Sequence, residues 1–167
     1  DTVNQVTVES EASGMLSTTV IPNQLMASIP STFKLASTSP QYPGIGVQQS
    51  LLYEYTEAGN LEITYFFIHT VYQDSGKTID THYDAIVNSP RSNSTRIQLE
   101  KVLINDVLWL YEQYEAPEPD GTFVTYDDYI FIDGKNMVGL TVCCNSDVYT
   151  KWKSVIEASK SSLELIN

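Results

Sequence analysis

Apolar and polar residues alternate over three separate stretches of the chain, and each alternation predicts a β-hairpin. Leu51, Tyr53 and Tyr55 alternate with Leu52, Glu54 and Thr56. Glu57-Ala58-Gly59-Asn60 then supplies turn residues, and Leu61 to Thr70 resumes as a strand. Ile97 to Ile104, the pair Asn105-Asp106 and Val107 to Tyr114 form a second hairpin, whose two-residue loop lacks the glycine that tight turns favour. Phe123 to Ile132, Asp133-Gly134-Lys135-Asn136 and Met137 to Cys144 form a third. Elsewhere the period lengthens. Ile79, Tyr83, Ile86 and Val87 fall on one face of a short helix, with Ser75 as N-cap and Pro90 closing the far end. Val148, Trp152, Val155, Ile156, Ser159 and Leu163 form a longer stripe after the capping residues Asn145 and Ser146, with Trp152 as its buried anchor. These pieces add up to an α+β fold, an antiparallel sheet of about six strands with two amphipathic helices packed on it.

The N-terminal residues follow neither period. Residues 1–20 are rich in Ser, Thr, Glu, Gln and Asn, which predicts a flexible leader or tether, with a single globular domain over 21–167. Leu25 to Ile29 reads as the entering strand, Phe33 and Leu35 follow a turn, and Ser39 to Gly46 is a Pro- and Gly-punctuated loop. The run from Glu115 to Gly121 reads as another loop, which the strand ending at Tyr114 does not enter. A chain of 167 residues fits one hydrophobic core.

Charge narrows the partners. Nine Lys and Arg face 21 Asp and Glu, a formal charge of -12, and basic residues cluster no further than Lys151 and Lys153. Nucleic acid and anionic membrane surfaces are therefore excluded as partners, since both need clustered cations. The apolar runs are far shorter than the roughly 20 residues of a spanning helix.

Several short motifs together mark an architecture. They are Ile29-Pro30-Ser31-Thr32-Phe33, the turn Ile104-Asn105-Asp106-Val107, the turn Ile132-Asp133-Gly134-Lys135, and the closing helix running into Ser161-Ser162-Leu163-Glu164-Leu165. In this order they resemble the PsbP-like superfamily over roughly residues 25–165. That superfamily includes a photosystem II extrinsic protein, a Ran-binding nuclear-import protein and many bacterial lipoproteins. The resemblance implies an α/β/α sandwich and a binding role, and it carries no metal-binding or Ran-binding motif onto this chain. Within the family, the Ser-, Thr- and Glu-rich leader is similar to the spacer of a bacterial surface lipoprotein, whose lipid-bearing cysteine would precede Asp1.

The residues that could carry chemistry each have a plainer reading. His69 continues the register of Leu61, Ile63, Tyr65 and Phe67, as the end of a core strand face. His82 lies in Asp80-Thr81-His82-Tyr83-Asp84, where a helix puts the two aspartates on one face and turns His82 elsewhere, onto a solvated flank. No serine has a Gly-x-Ser-x-Gly context, and Gly44-Ile45-Gly46 lacks the rest of a phosphate-binding fingerprint. Asp127 and Asp128 are adjacent on a strand and face opposite sides, one outward and one at a rim, a poor pair for glycosidase chemistry. The acidic loop Glu115 to Asp120 lacks calcium-ligand spacing.

Cys143 and Cys144 place one thiol inward and one outward, as two small buried hydrophobes or, with a strained backbone, as a vicinal disulfide. Asn93-Ser94-Thr95 is a glycosylation acceptor in a eukaryotic secretory pathway. Tyr53, Tyr55, Tyr65, Tyr111, Tyr114, Tyr126 and Tyr129 fall on strands, where tyrosine serves sheet packing or recognition. No catalytic, metal or cofactor site emerges. The sequence thus points to a non-catalytic extracytoplasmic binding domain with a protein or glycan partner. The alternative is a hydrolase whose site is assembled in space around His69 or His82 and an aspartate.

Overall fold

The computed structural model describes residues 14–38, 46–74 and 76–166. The first strands are β1 (Met15–Ile21), β2 (Leu25–Pro30), β3 (Lys34–Ser37), β4 (Val47–Glu57) and β5 (Asn60–Val71). Helix α1 (Ile79–Asn88) separates them from β6 (Thr95–Ile104), β7 (Val107–Pro117), β8 (Phe123–Asp133) and β9 (Asn136–Asn145). A 3-10 turn, Ser146–Val148, leads into α2 (Tyr149–Ser161), and β10 (Glu164–Leu165) closes the chain.

Seven strands form one sheet in the order β3-β4-β5-β9-β8-β7-β6, and β1, β2 and β10 form a second. Every pairing is antiparallel. The three expected hairpins are β4-β5, β6-β7 and β8-β9, and the sheet is larger than expected because short β3 extends one edge and a second sheet exists. Pairing turns the hairpins as their residues allow. Ala58 and Gly59 both take positive φ, as do Asn105 and Asp106 at 49° and 63°. That is the type I′ geometry whose twist suits a two-residue hairpin, and asparagine and aspartate tolerate it without glycine. Asn105 also donates from Nδ2 to the carbonyls of Ser161 (3.2 Å) and Leu163 (2.9 Å), tying the hairpin tip to the end of α2.

The core lies on one face of the large sheet, under α2 and the small sheet. Ile63, Tyr65 and Phe67 of β5 stand beside Cys144, Val142 and Leu140 of β9, all buried. Trp152 of α2 packs edge-on against Phe33 (5.7 Å) and Tyr55 (5.3 Å), and its indole N–H donates to Glu62 at 2.8 Å. Tyr65 and Ser159 hydroxyls meet at 2.9 Å, which satisfies both where neither reaches water. The apolar stripe expected on this helix is the one buried: Trp152, Val155, Ile156 and Ser159.

Three expectations need correction. The leader was placed over residues 1–20, but β1 occupies Met15–Ile21 and pairs with β2, with Val20 and Ile21 fully buried; residues 1–13 lie outside the described residues. The strand was concealed because only its last two residues are fully buried and they are adjacent, so no period-2 pattern shows. Helix α1 is capped by Thr78, whose side chain accepts from Thr81 N while Thr81 answers back, a reciprocal capping box; Ser75 lies outside the described residues. Strand β7 runs on through Glu115 and Ala116 to Pro117, opposite Phe123, so the loop is shorter than expected. Pro117 is tolerated because it ends the strand.

Candidate functional site

Asp127 and Asp128 are successive residues of β8, so their carboxylates leave opposite faces of the sheet. The sequence placed one outward and one at a rim, but both are buried, at 1% and 5% exposure. The two are solved differently.

On the core side, register sets Gln113 opposite Asp127 and Tyr111 opposite Tyr129. Tyr111 and Tyr149 donate their hydroxyls to Asp127 at 2.7 and 2.6 Å, and Gln113 Nε2 donates to it at 3.0 Å. Burial raises the Asp127 pKa, and these three donors pull it back. Tyr111 stacks on Tyr129 at 4.8 Å. Both carboxylate oxygens are satisfied.

On the opposite face the pairings generate two adjacent cross-strand rows. One runs Leu52, Phe66, Thr141, Asp128, Glu112 and the other Glu54, Thr64, Cys143, Tyr126, Tyr114, Arg96. Helix α1 covers the β7 and β8 end of this face, where Arg96 donates from Nη2 to the Ile86 carbonyl at 2.9 Å and Lys101 pairs with Asp80. Beyond its cover lies a groove of about 500 Å³, with Thr64, Thr141 and Cys143 among its linings and Phe66, Leu52 and Tyr126 as its apolar part. That size is usual for a ligand site.

Charges gather at its covered end. Glu112 and Asp128 face each other across β7 and β8, an unfavourable juxtaposition unless cations intervene. Arg91, from the loop after α1, donates from Nε to Glu112 (3.0 Å) and from Nη2 to Asp128 (2.9 Å), while its guanidinium lies over Tyr114 at 4.3 Å. Arg96 Nε donates to the other Glu112 oxygen at 3.1 Å. Tyr114 in turn stacks on Tyr126 at 4.8 Å. Asp128 Oδ1, by contrast, has no hydrogen-bond partner of ordinary geometry among the described residues. The Thr141 and Tyr114 hydroxyls lie close enough to favour the carboxylate without forming such a bond. Burial pushes Asp128 up to about 6, with Glu112 adding to the rise and Thr141 and Arg91 opposing it. An unpaired buried acceptor costs about 1 to 3 kcal/mol, so this oxygen is the exception on the face.

The residues singled out in the sequence are dispersed. His69 stands at the end of the core-facing register, its Nε2 3.1 Å from Asn136 Oδ1. His82 is not on a solvated flank: it is half-buried on the sheet-facing side of α1 with Ile79, Tyr83 and Ile86. Burial lowers its pKa, as do Lys77 and Arg91, against an opposing pull from Glu112. Among the described residues neither histidine bonds a carboxylate, and no group of His, Cys, Asp and Glu could hold a metal ion. Gly46 serves the backbone, since a Cβ there would lie 2.3 Å from the Val71 carbonyl; Gly44 and Ile45 lie outside the described residues. Asp120 accepts from Thr122 N and Oγ1, as in a plain turn.

Cys143 and Cys144 are both free, the first bordering the groove and the second in the core, where burial pushes its thiol up to about 12. Asn93 sits in an exposed turn at φ 58°. Of the tyrosines, Tyr53, Tyr55, Tyr65, Tyr111 and Tyr129 pack on the core side, and Tyr114 and Tyr126 border the groove. Glu112, Arg91 and Arg96 were missed. The available signal was a charged residue midway along an apolar strand, Glu112 between Tyr111 and Tyr114.

No family model matches the chain, and no curated protein matches it. Solved structures do. Cyanobacterial PsbP (CyanoP) from Synechocystis aligns with a TM-score of 0.65 at 10% identity over 91% of this chain and 92% of that one. The Saccharomyces cerevisiae Ran-binding protein Mog1p gives 0.58 at 8% identity over 92% and 96%. LpqN, described as involved in cell envelope biogenesis of Mycobacterium tuberculosis, gives 0.59 at 11% identity over 92% of each chain. The chain spans about half, 48%, of a Bacteroides thetaiotaomicron structure that it also matches, with a TM-score of 0.59 and 14% identity over 89% of this chain. The architecture shared with these proteins is the one that the short motifs resembled, and the chain has the PsbP-like fold.

Proposed function

We propose that this chain is a non-catalytic binding domain acting outside the cytoplasm, and that the groove over Asp128 is its recognition site. One observation carries the reading: a nearly fully buried carboxylate at the groove keeps one oxygen without a hydrogen bond of ordinary geometry among the described residues, beside Arg91, Glu112 and Arg96, which are all paired. A protein that satisfies Asp127 fully on one side of the strand has the means to satisfy Asp128 on the other. The deficit is therefore read as the place of a ligand's donor.

Catalysis has weaker support, because neither histidine lines the groove or hydrogen-bonds a carboxylate among the described residues. The extracytoplasmic setting is supported by the Ser-, Thr- and Glu-rich N-terminal sequence, in the manner of a lipoprotein tether, and by likeness in fold to LpqN, a protein involved in cell envelope biogenesis. The partner is a protein or a glycan of that surface.

Cosedimentation of the whole chain with cell-envelope preparations tests the reading. Thr141→Trp, which fills the groove, should abolish binding, whereas the double variant His69→Gln/His82→Gln should bind as the parent does. Turnover of chromogenic ester or phosphoester substrates that disappears in the double histidine variant would overturn the reading in favour of a hydrolase.

A further inference from the structure

The groove's own chemistry narrows the ligand, given the binding role proposed above. Glu112 and Asp128 are matched by Arg91 and Arg96, so the charges at its end balance and favour neither a free cation nor an anion. The deficit is of another kind. Asp128, with its side chain only 7% exposed, needs one more donor at Oδ1. Around it stand the hydroxyls of Thr64, Thr141 and Tyr114, each able to donate and accept, and beside them the apolar surface of Leu52 and Phe66.

A charged ligand would leave a net charge in a partly desolvated groove. A purely apolar one would leave Oδ1 without its donor. A ring bearing several hydroxyls meets all three demands: an O–H for Oδ1, lone pairs for the threonines, and C–H edges for Leu52 and Phe66. We propose that the groove is a binding site for a neutral, hydroxyl-rich ring, a pyranose unit of a glycan. Oδ1 is closed to solvent in the free protein. The ligand hydroxyl therefore enters as the Thr141 and Tyr114 side chains give way, with Arg91 still holding Oδ2.

The test is a titration of the 15N-labelled whole chain with methyl α-D-glucopyranoside, methyl α-D-mannopyranoside and methyl β-D-galactopyranoside, with n-butylammonium chloride and sodium acetate as charged probes. At least one glycoside should give saturable shifts at the amides of Thr64, Thr141 and Cys143, and the charged probes should give none. Asp128→Asn and the near-isosteric Thr141→Val should each weaken that binding about tenfold or more, while Asp84→Asn, on the exposed side of α1, should not change it. Silence of these amides towards all three glycosides, or saturation by butylammonium or acetate, would overturn the sugar assignment. Thr141→Trp separates the two levels. If it abolishes envelope binding while the glycosides stay silent, the groove binds something other than sugar; if envelope binding survives it, the groove is not the recognition site and both readings fail.

Discussion

Replacing Asp128 by asparagine removes a carboxylate that is nearly fully buried and whose pKa stands at about 6 against an ordinary 3.8. Between those two values the folded protein holds a proton on this group more tightly than the unfolded chain does. Unfolding therefore releases that proton, and stability contributed by Asp128 rises as pH falls, fully present below 3.8 and lost as pH climbs through about 6. Each pKa unit is about 1.4 kcal/mol, so between pH 7 and pH 4 the parent should gain roughly 2 to 3 kcal/mol relative to Asp128→Asn. Asp120, lowered by its bonds from Thr122, acts in the opposite direction. The difference between parent and variant cancels such background. Urea unfolding followed by tryptophan fluorescence at several pH values gives the quantity directly. A difference that is flat, or that falls toward low pH, would show that Asp128 ionises as it does in water, and the unpaired oxygen would no longer mark a site.

Three further outcomes are expected. Trp152→Ala should cost about 3 to 5 kcal/mol in the same unfolding assay, since the ring fills the contact between Phe33 and Tyr55; parental stability would mean that α2 packs through other residues. Deleting residues 1–21 should lower the melting temperature by many degrees, because Val20 and Ile21 are fully buried and each such side chain is worth about 1.5 to 3 kcal/mol. An unchanged transition by calorimetry would show that β1 adds nothing to the fold. Replacing His69 and His82 by glutamine together should leave envelope binding intact, and loss of binding in a folded double variant would bring one of them into the site.

What the sequence disclosed followed from periodicity. The three hairpins and α2 combine regular alternation or a long apolar stripe with clear turn residues, and these held. Strand β1 did not show, because its middle carries Ser and Thr, its Leu16 is exposed, and only Val20 and Ile21 are fully buried. His82 was misplaced for a related reason: spacing on a helix fixes which residues share a face, but not which face meets the sheet. The groove was the least legible feature of all. Its members come from β4, β5, β7, β8, β9 and the loop after α1, and only the register of those pairings assembles them into two rows. Alternation along β8 correctly sent Asp127 and Asp128 to opposite faces, yet it could not say that both faces were covered.

The adjacent aspartates also bear on how a ligand would act. At Asp127 the donors are tyrosines and a glutamine, held by the sheet and α2 and serving only to neutralise the cost of burial. At Asp128 the donor is Arg91, which belongs to the segment leaving α1 and is simultaneously held by Glu112 and by the face of Tyr114. The groups that shape the groove are thus the ones that hold this end of α1 to the sheet. Arg91 uses Oδ2, and the donor sought by Oδ1 approaches the other side of the carboxylate. Supplying it would strengthen the ionised form of Asp128 without displacing the arginine, so occupancy should tighten the attachment of the α1 exit segment rather than release it.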